Sequence, residues 1–106
     1  MLDTAQPRQG DLISVVIPVY NEEANVADLC AALREALGKL GRPWEVVLIN
    51  DGSNDATAER LDAETARDAR FTALHLRRNF GQTAAMAAGF DHARGEVLVA
   101  MDADLQ

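Results

Sequence analysis

Cysteine is almost missing from this sequence, since Cys30 is the only one among 106 residues. A single thiol excludes a disulfide framework within the chain. Cys30 falls on the apolar side of a predicted helix, where leucines recur at helical spacing. We therefore expect a small, buried and unreactive thiol.

A surplus of positive charge is also missing. The chain has 10 lysines and arginines against 17 acidic residues, which gives a formal net charge of −7. Binding to a nucleic-acid backbone requires clustered basic residues, so the composition excludes nucleic acid as the partner. A phosphate-bearing ligand would need either a bound metal ion or a local basic group.

Long hydrophobic runs are lacking as well. No apolar stretch is long enough to cross a bilayer, and no signal-peptide pattern opens the chain. The first ten residues are polar and include Pro7 and Gly10. We expect residues 1–11 to form a flexible tail. Residues 12–106 are expected to form one domain, because 48% of the chain is apolar and this is enough for a core.

Apolar, mostly β-branched runs alternate with helical patterns along the chain. The predicted strands are residues 12–20, 44–49, 71–76 and 97–101. The first helix is predicted to begin at Asn21, as its N-cap, and to stop at Gly41. Two further helices are predicted at residues 56–69 and 82–93. This β-α-β-α-β-α-β order predicts an α/β fold with a parallel sheet and right-handed crossovers.

A polar cluster follows each predicted strand. These clusters are residues 20–22, 51–53, 77–81 and 102–106. The carboxyl ends of parallel strands lie at one edge of the sheet, and ligands bind there, near the point where strand order reverses. We therefore expect the four clusters to meet in one crevice.

Two common phosphate-binding motifs are absent, namely the glycine-rich dinucleotide fingerprint and the P-loop. Other groups take their place. Asp51 suits a base N–H or a ribose hydroxyl, and Arg77 or Arg78 suits a phosphate. Asp102 and Asp104 point to the same side of an extended backbone and repel each other, which favours a divalent cation between them. Together these groups predict a metal-bound nucleoside diphosphate that carries a transferable group.

Four ordered motifs resemble family 2 glycosyltransferases. They are IPVYNEE at residues 17–23, NDGSNDAT at residues 50–57, RNFGQ at residues 78–82 and DADLQ at residues 102–106. Within that family they look most like the polyprenyl-phosphate sugar transferases, a group that includes dolichyl- and undecaprenyl-phosphate enzymes. The resemblance covers about residues 12–106 and implies the N-terminal half of a Rossmann-like GT-A domain.

The resemblance also implies roles for individual residues. The segment that lines the nucleotide-sugar pocket would be represented by Pro18, Tyr20 and Glu22. The base would be held by Asp51, and the donor would lie near Arg78 and Gln82. The metal, Mg²⁺ or Mn²⁺, would be bound by Asp102, Asp104 and Gln106, and the two aspartates would also serve catalysis.

The implied reaction is the inverting, metal-dependent transfer of a hexose from a UDP- or GDP-sugar to a polyprenyl phosphate. The resemblance implies a cytoplasmic domain, with the parent protein at the cytoplasmic face of the inner or plasma membrane. One alternative is a family 2 transferase that acts on a saccharide hydroxyl. Another is an inactive nucleotide-binding fragment.

The chain stops directly after the metal motif, and the resemblance implies that only the donor-binding half is present. In that case the fourth strand, residues 97–101, would be an apolar edge strand. Unpaired strand edges invite pairing with another chain. We therefore expect self-association through this strand.

Overall fold

The protein folds as a four-stranded parallel sheet with three helices. The computed structural model describes residues 11–99. The elements are β1 (Ile13–Val19), α1 (Val26–Gly38), β2 (Trp44–Asn50), α2 (Thr57–Arg67), β3 (Phe71–His75), α3 (Gln82–His92) and β4 (Glu96–Val99). The observed order confirms the predicted β-α-β-α-β-α-β arrangement.

The strands lie in the order β3-β2-β1-β4, and all three pairings are parallel. From β1 the chain first moves outward to β2 and β3, and it then returns to place β4 on the other side of β1. Strand order therefore reverses between β1 and β4. In sheets of this kind ligands bind beyond the carboxyl ends of the strands, close to this reversal.

The two faces of the sheet carry separate hydrophobic cores, because side chains alternate along each strand. One core joins alternate residues of β1 and β2, such as Val15 and Leu48, to residues of α1 and α2, such as Leu29 and Leu61. The other core joins Val16, Val47 and Ile49 to Ala85 of α3. Helices α1 and α2 therefore cover one face and α3 covers the other.

Helix α3 lies unusually close to the sheet because it is built from small residues. A Cβ atom added to Gly89 would lie 2.3 Å from Cγ1 of Val16 and 2.7 Å from Cδ1 of Ile49. Both distances are below van der Waals contact, so only glycine fits at this position. The close approach holds the second half of α3 against β1 and β2.

The first helix begins later than the sequence predicts. Its N-cap is Asn25, not Asn21, and α1 runs from Val26 to Gly38. Asn21 has a positive φ of 51°, a left-handed conformation that asparagine tolerates. Its side chain holds another loop instead of starting the helix.

Because proline has no N–H, the sequence also predicts that Pro18 ends the ladder of the first strand, and the structure differs from this prediction. The strand continues to Val19, and Pro18 is paired in register with Ile49. The carbonyl oxygen of Val19 accepts the N–H of Asp51 at 2.9 Å. The parallel pairing of β1 with β2 therefore continues through Pro18, although proline has no N–H to donate.

A buried polar network at the amino ends of the strands fixes the position of β4. The carboxylate of Glu45 accepts the Ser14 hydroxyl at 2.6 Å and the Arg94 N–H at 2.8 Å. The Gly95 N–H in turn donates to the Ser14 hydroxyl at 2.9 Å. Burial of Glu45 opposes its ionisation, but the hydrogen bonds from Ser14 and Arg94 outweigh that effect, and the pKa of Glu45 is lowered.

Strand β4 lies at an edge of the sheet, as expected, and its described part is Glu96–Val99. The remainder of the predicted strand and residues 1–10 of the predicted tail lie outside the described residues. Self-association through this edge stays a prediction.

Candidate functional site

The loops that follow β1 and β2 are joined by reciprocal hydrogen bonds. The N–H of Asn21 donates to the Ser53 hydroxyl at 2.9 Å, and the N–H of Asn54 donates to the Asn21 side-chain oxygen at 2.8 Å. The left-handed backbone of Asn21 turns its amide and its side chain towards the second loop. These bonds link residues more than thirty positions apart and fix the two strand exits relative to each other.

A second set of bonds continues this connection to the start of α2. The N–H of Glu22 donates to the Thr57 hydroxyl oxygen at 2.9 Å, and the N–H of Thr57 donates to Asp55 at 2.9 Å. The Thr57 hydroxyl donates to the same Asp55 carboxylate. That hydroxyl bond is the main reason why the pKa of Asp55 is lowered.

Asp51 connects the exit of β2 to the loop that follows β3. Its carboxylate accepts the N–H of Phe80 at 2.8 Å and the N–H of Gly81 at 3.0 Å. The side-chain amide of Asn79 donates to it at 3.3 Å. Asp51 is only 4% exposed. The carboxylate stands at the start of α3, where the helix dipole favours a negative charge, and α3 has no side-chain cap of its own.

Gly52 brings the backbones of these two loops into direct contact. It has a φ of +71°, and a Cβ added there would lie 2.1 Å from the carbonyl carbon of Arg78 and 2.3 Å from the amide nitrogen of Asn79. No side chain larger than hydrogen fits without moving one of the loops. We call segments 20–25, 51–57 and 77–81 together the exit rim.

The exit rim borders a cavity of about 420 Å³ that is open to solvent. A volume of this size is typical of sites for small ligands. It is lined by Tyr20, Asn50, Gly52, Ser53, Asn54, Ala58, His75, Leu76, Arg77, Arg78 and Asn79. The lining combines an exposed aromatic ring, two guanidinium groups and several amide and hydroxyl groups, which suits an anionic ligand with a planar ring and hydroxyl groups.

The described part of the chain brings several of the predicted site residues to this edge of the sheet. Tyr20 and Arg78 line the cavity, and the Arg78 guanidinium lies 4.6 Å from the centre of the Phe80 ring. Glu22 is in the same loop as Tyr20, and its carboxylate accepts the Asn25 side-chain amide at 2.7 Å. Asp51 is next to the cavity wall but is not one of its lining residues.

The other predicted residues are less directly placed. Pro18 is half-buried at the carboxyl end of β1, and Gln82 is the first residue of α3. Asp102, Asp104 and Gln106 lie outside the described residues. The predicted metal site therefore has no described geometry.

Within residues 11–99 no group of three acidic, histidine or cysteine side chains could hold a metal ion. Metal binding by this chain consequently depends on the side-chain oxygens of the DADLQ motif, residues 102–106. Carboxylate and amide oxygens are the ligands that Mg²⁺ and Mn²⁺ prefer. In the same part of the chain no helix is long and apolar enough to span a bilayer.

Sequence reasoning missed the residues that hold the exit rim together. The side chain of Asn79 donates both to the carboxylate and to the carbonyl oxygen of Asp51. Asn50 and His75 form part of the cavity wall, although neither is among the predicted site residues. The sequence signal for Asn50 and Asn79 was weak but present, since each is an amide side chain within a resemblance motif.

The sequence of this chain is similar to that of a known protein family. A family model described as "Glycosyl transferase family 2" matches residues 14–106. A curated relative from Pseudomonas paraeruginosa, "Undecaprenyl-phosphate 4-deoxy-4-formamido-L-arabinose transferase", is 49% identical over 95% of this chain. The chain spans about 30% of the length of that relative.

Two solved structures share the fold. "Crystal structure of S. aureus TarS 1-349 in complex with UDP-GlcNAc" matches with a TM-score of 0.65 and 28% identity, over 84% of this chain and 26% of the other. "Mannosyltransferase PcManGT from Pyrobaculum calidifontis in complex with GDP-Man and Mn2+" matches with a TM-score of 0.70 and 21% identity, over the same shares. The predicted α/β fold, the N-terminal part of a GT-A domain, is confirmed.

Proposed function

Because the chain belongs to glycosyl transferase family 2, we propose that it forms the nucleotide-sugar-binding part of a transferase that moves a hexose onto a polyprenyl phosphate. The single observation that carries this proposal is the exit rim, in which three strand exits are hydrogen-bonded into one polar cavity. A binding site assembled from separate strand ends is what a nucleotide requires in this class of fold.

The nucleoside of the donor would occupy the cavity. The Tyr20 ring is 42% exposed and offers a face on which a base can stack. The hydroxyl and amide groups of Ser53 and Asn54 suit ribose hydroxyls. Arg77 and Arg78 would stand near the diphosphate, where a guanidinium group pairs well with phosphate oxygens.

Asp51 would contribute in two ways. Among residues 11–99 its Oδ2 atom receives two donors, whereas Oδ1 receives the Phe80 N–H alone. A carboxylate oxygen accepts two hydrogen bonds, so Oδ1 keeps one acceptor position. We assign this position to an N–H group of the base, while the remaining bonds hold the loop in place.

The metal of the site would be held by Asp102 and Asp104, with Gln106 as a further ligand. When bound, Mg²⁺ or Mn²⁺ would neutralise the negative charge that develops on the departing nucleoside diphosphate. The mannosyltransferase with the same fold was solved with GDP-Man and Mn²⁺. The TarS structure contains UDP-GlcNAc, which supports a UDP-sugar as the first donor to test.

The acceptor would be a polyprenyl phosphate at the cytoplasmic face of the membrane. The curated relative is named as an undecaprenyl-phosphate transferase. A phosphate monoester is ionised at neutral pH, so its oxygen can attack the sugar C1 atom without a strong general base on the protein. A saccharide hydroxyl, in contrast, would need such a base.

The test is transfer of a radiolabelled sugar, with Mn²⁺, by the whole transferase of which this chain would form the nucleotide-sugar-binding part. Undecaprenyl phosphate and undecaprenol form a matched pair of acceptors, because they differ only in the phosphate. We expect labelled lipid with undecaprenyl phosphate and none with undecaprenol. Transfer to a saccharide alone would establish the hydroxyl-acceptor alternative, and nucleotide binding without any transfer would establish the inactive one.

Self-association of this chain would use the exposed edge of β4. Within the described residues β4 pairs with β1 alone, and Val97 is 38% exposed. An unpaired strand edge of this kind can pair with a second copy. Sedimentation at high protein concentration should show dimers, whereas a strictly monomeric species would contradict the proposal.

A further inference from the structure

A chain of hydrogen bonds crosses the carboxyl ends of β2 and β3 and ends on α2. The N–H of Ser53 donates to Oδ1 of Asn50 at 3.0 Å. Nδ2 of Asn50 lies 3.0 Å from Nδ1 of His75, and Nε2 of His75 lies 2.8 Å from Oδ1 of Asp62. Asn50 is 4% exposed, so its amide has little access to water as a substitute partner.

The N–H of Ser53, which begins this series of hydrogen bonds, fixes which group donates and which accepts in each later bond. A backbone N–H can only donate, so the Asn50 atom that faces Ser53 must be the oxygen. The other Asn50 atom is then the amide nitrogen, which donates, and Nδ1 of His75 must accept. The ring proton consequently sits on Nε2 and is donated to the Asp62 carboxylate.

We infer that His75 is a positioning residue of the cavity, and that its Nε2–H tautomer holds the 51–54 turn in place through Asn50. Ser53 and Asn54 of this turn line the cavity, and both are bonded to Asn21 on the neighbouring loop. A change at His75 therefore affects the cavity wall and the hydrogen bonds that connect the loops after β1 and β2. The nature of the ligand in this inference rests on the proposed function.

Protonation of the ring would disturb this arrangement. A proton on Nδ1 would face the Asn50 amide donors at 3.0 Å, and two donors cannot share a hydrogen bond. Asn50 would have to turn its oxygen towards His75, and the Ser53 N–H would lose its acceptor. Asp62 on α2 is the charged group that is bonded to the ring, β2 presents the uncharged Asn50, and Arg77 and Arg78 line the same cavity.

The first experiment needs no ligand. Nitrogen-15 NMR of the His75 ring at neutral pH should show the proton on Nε2 and an unprotonated Nδ1. Amide hydrogen exchange at Ser53 should be slow in the wild type and clearly faster in His75→Leu. A proton on Nδ1, or equal exchange at Ser53 in both proteins, would overturn the inference.

The second experiment measures binding of UDP and GDP with Mn²⁺ to three variants of the purified protein. His75→Leu should raise the Kd roughly 3- to 10-fold, which corresponds to the loss of about one hydrogen bond. His75→Gln keeps an acceptor and a donor and should stay within about twofold of the wild type. The control His92→Gln, at an exposed helix end, should bind like the wild type.

Rescue by the conservative variant separates positioning from mere packing, because leucine fills space without a hydrogen-bonding group whereas glutamine keeps one. Affinity and Ser53 exchange close to wild type in His75→Gln, with both altered in His75→Leu, would support positioning. A His75→Leu variant with wild-type affinity, or a His75→Gln variant as weak as His75→Leu, would refute the inference. Failure of the wild type to bind either nucleotide would instead refute the proposed function.

Discussion

At the scale of the residue, Asp51 shows how far a single side chain can be interpreted from sequence. Its position after an apolar strand marks it as a candidate ligand residue, and the structure puts it at the expected edge of the sheet. Its actual partners, the N–H groups of Phe80 and Gly81, come from a loop about thirty residues later. No local pattern predicts that approach, because it depends on how β2 and α3 pack.

Asp51→Asn should destabilise the protein by about 2–3 kcal/mol. The new side chain would place an NH₂ group where a carboxylate oxygen now accepts a backbone N–H, and two donors cannot form a hydrogen bond. Urea unfolding followed by circular dichroism measures this change. The control Asp91→Asn replaces an exposed aspartate in the last turn of α3 and should stay within about 0.5 kcal/mol. Equal stability of the two variants would mean that the Asp51 bonds do not hold the loop.

At the scale of the element, hydrophobic periodicity predicted every described strand and helix but not every boundary. The sequence predicts Asn21 as the N-cap of α1, whereas the N-cap in the structure is Asn25. Tertiary contacts explain the later start of the helix, because Asn21 is hydrogen-bonded to Ser53 and Asn54 instead. Leu40 falls inside the helix that the sequence predicts to stop at Gly41, but α1 ends at Gly38 and Leu40 is 47% exposed.

Two glycines at helical positions form a matched pair that tests the packing of α3. Gly89→Ala should destabilise the protein by about 1–3 kcal/mol, because the new methyl group overlaps Val16 and Ile49. Gly38→Ala, at the end of α1, meets no atom within 4 Å and should stabilise by roughly 0.5–1 kcal/mol through helix propensity.

Thermal unfolding of both variants gives the comparison directly. If Gly89→Ala were as stable as Gly38→Ala, α3 would have room to move away from the sheet. The loop that Asp51 holds at the start of α3 would then be less firmly positioned than the contacts indicate.

At the scale of the whole molecule, the alternation of strands and helices was sufficient to predict a parallel sheet and the edge at which the polar residues gather. The connections between those residues were not predictable. They are hydrogen bonds between loops, such as the Asn21–Ser53 pair, and backbone contacts such as that between Gly52 and Arg78. Such contacts depend on the assembled sheet and leave no periodic pattern in the sequence.

The pH dependence of stability is also a property of the whole molecule. Asp68 accepts hydrogen bonds from Arg70 and Arg34, both at 3.0 Å, and these bonds, with that of Arg70 as the main cause, lower its pKa strongly. Glu45 also has a lowered pKa. Because both carboxylates bind protons more weakly in the folded state, their stabilisation is complete above roughly pH 4.5 and is lost as the pH falls further.

Asp68→Asn should therefore be less stable than the wild type by about 1–3 kcal/mol at pH 7, and the difference should shrink below roughly pH 4. Urea unfolding at several pH values measures both effects. The control Glu35→Gln removes an exposed carboxylate, 76% accessible, that pairs only with Lys39 at 3.6 Å, and it should change stability by less than about 0.5 kcal/mol. A stability gap for Asp68→Asn that stays constant down to pH 3 would contradict this assignment.

The central claim is that the carboxyl ends of these strands bind a nucleoside diphosphate together with a divalent metal. Calorimetric titration of the purified protein with UDP and GDP, each with and without Mn²⁺, tests it most directly. We predict binding that depends on Mn²⁺ and is weakened at least about a hundredfold by Asp102→Ala, with Asp91→Asn as a control that binds normally. Absence of binding, or binding of equal strength without metal and in Asp102→Ala, would contradict the account.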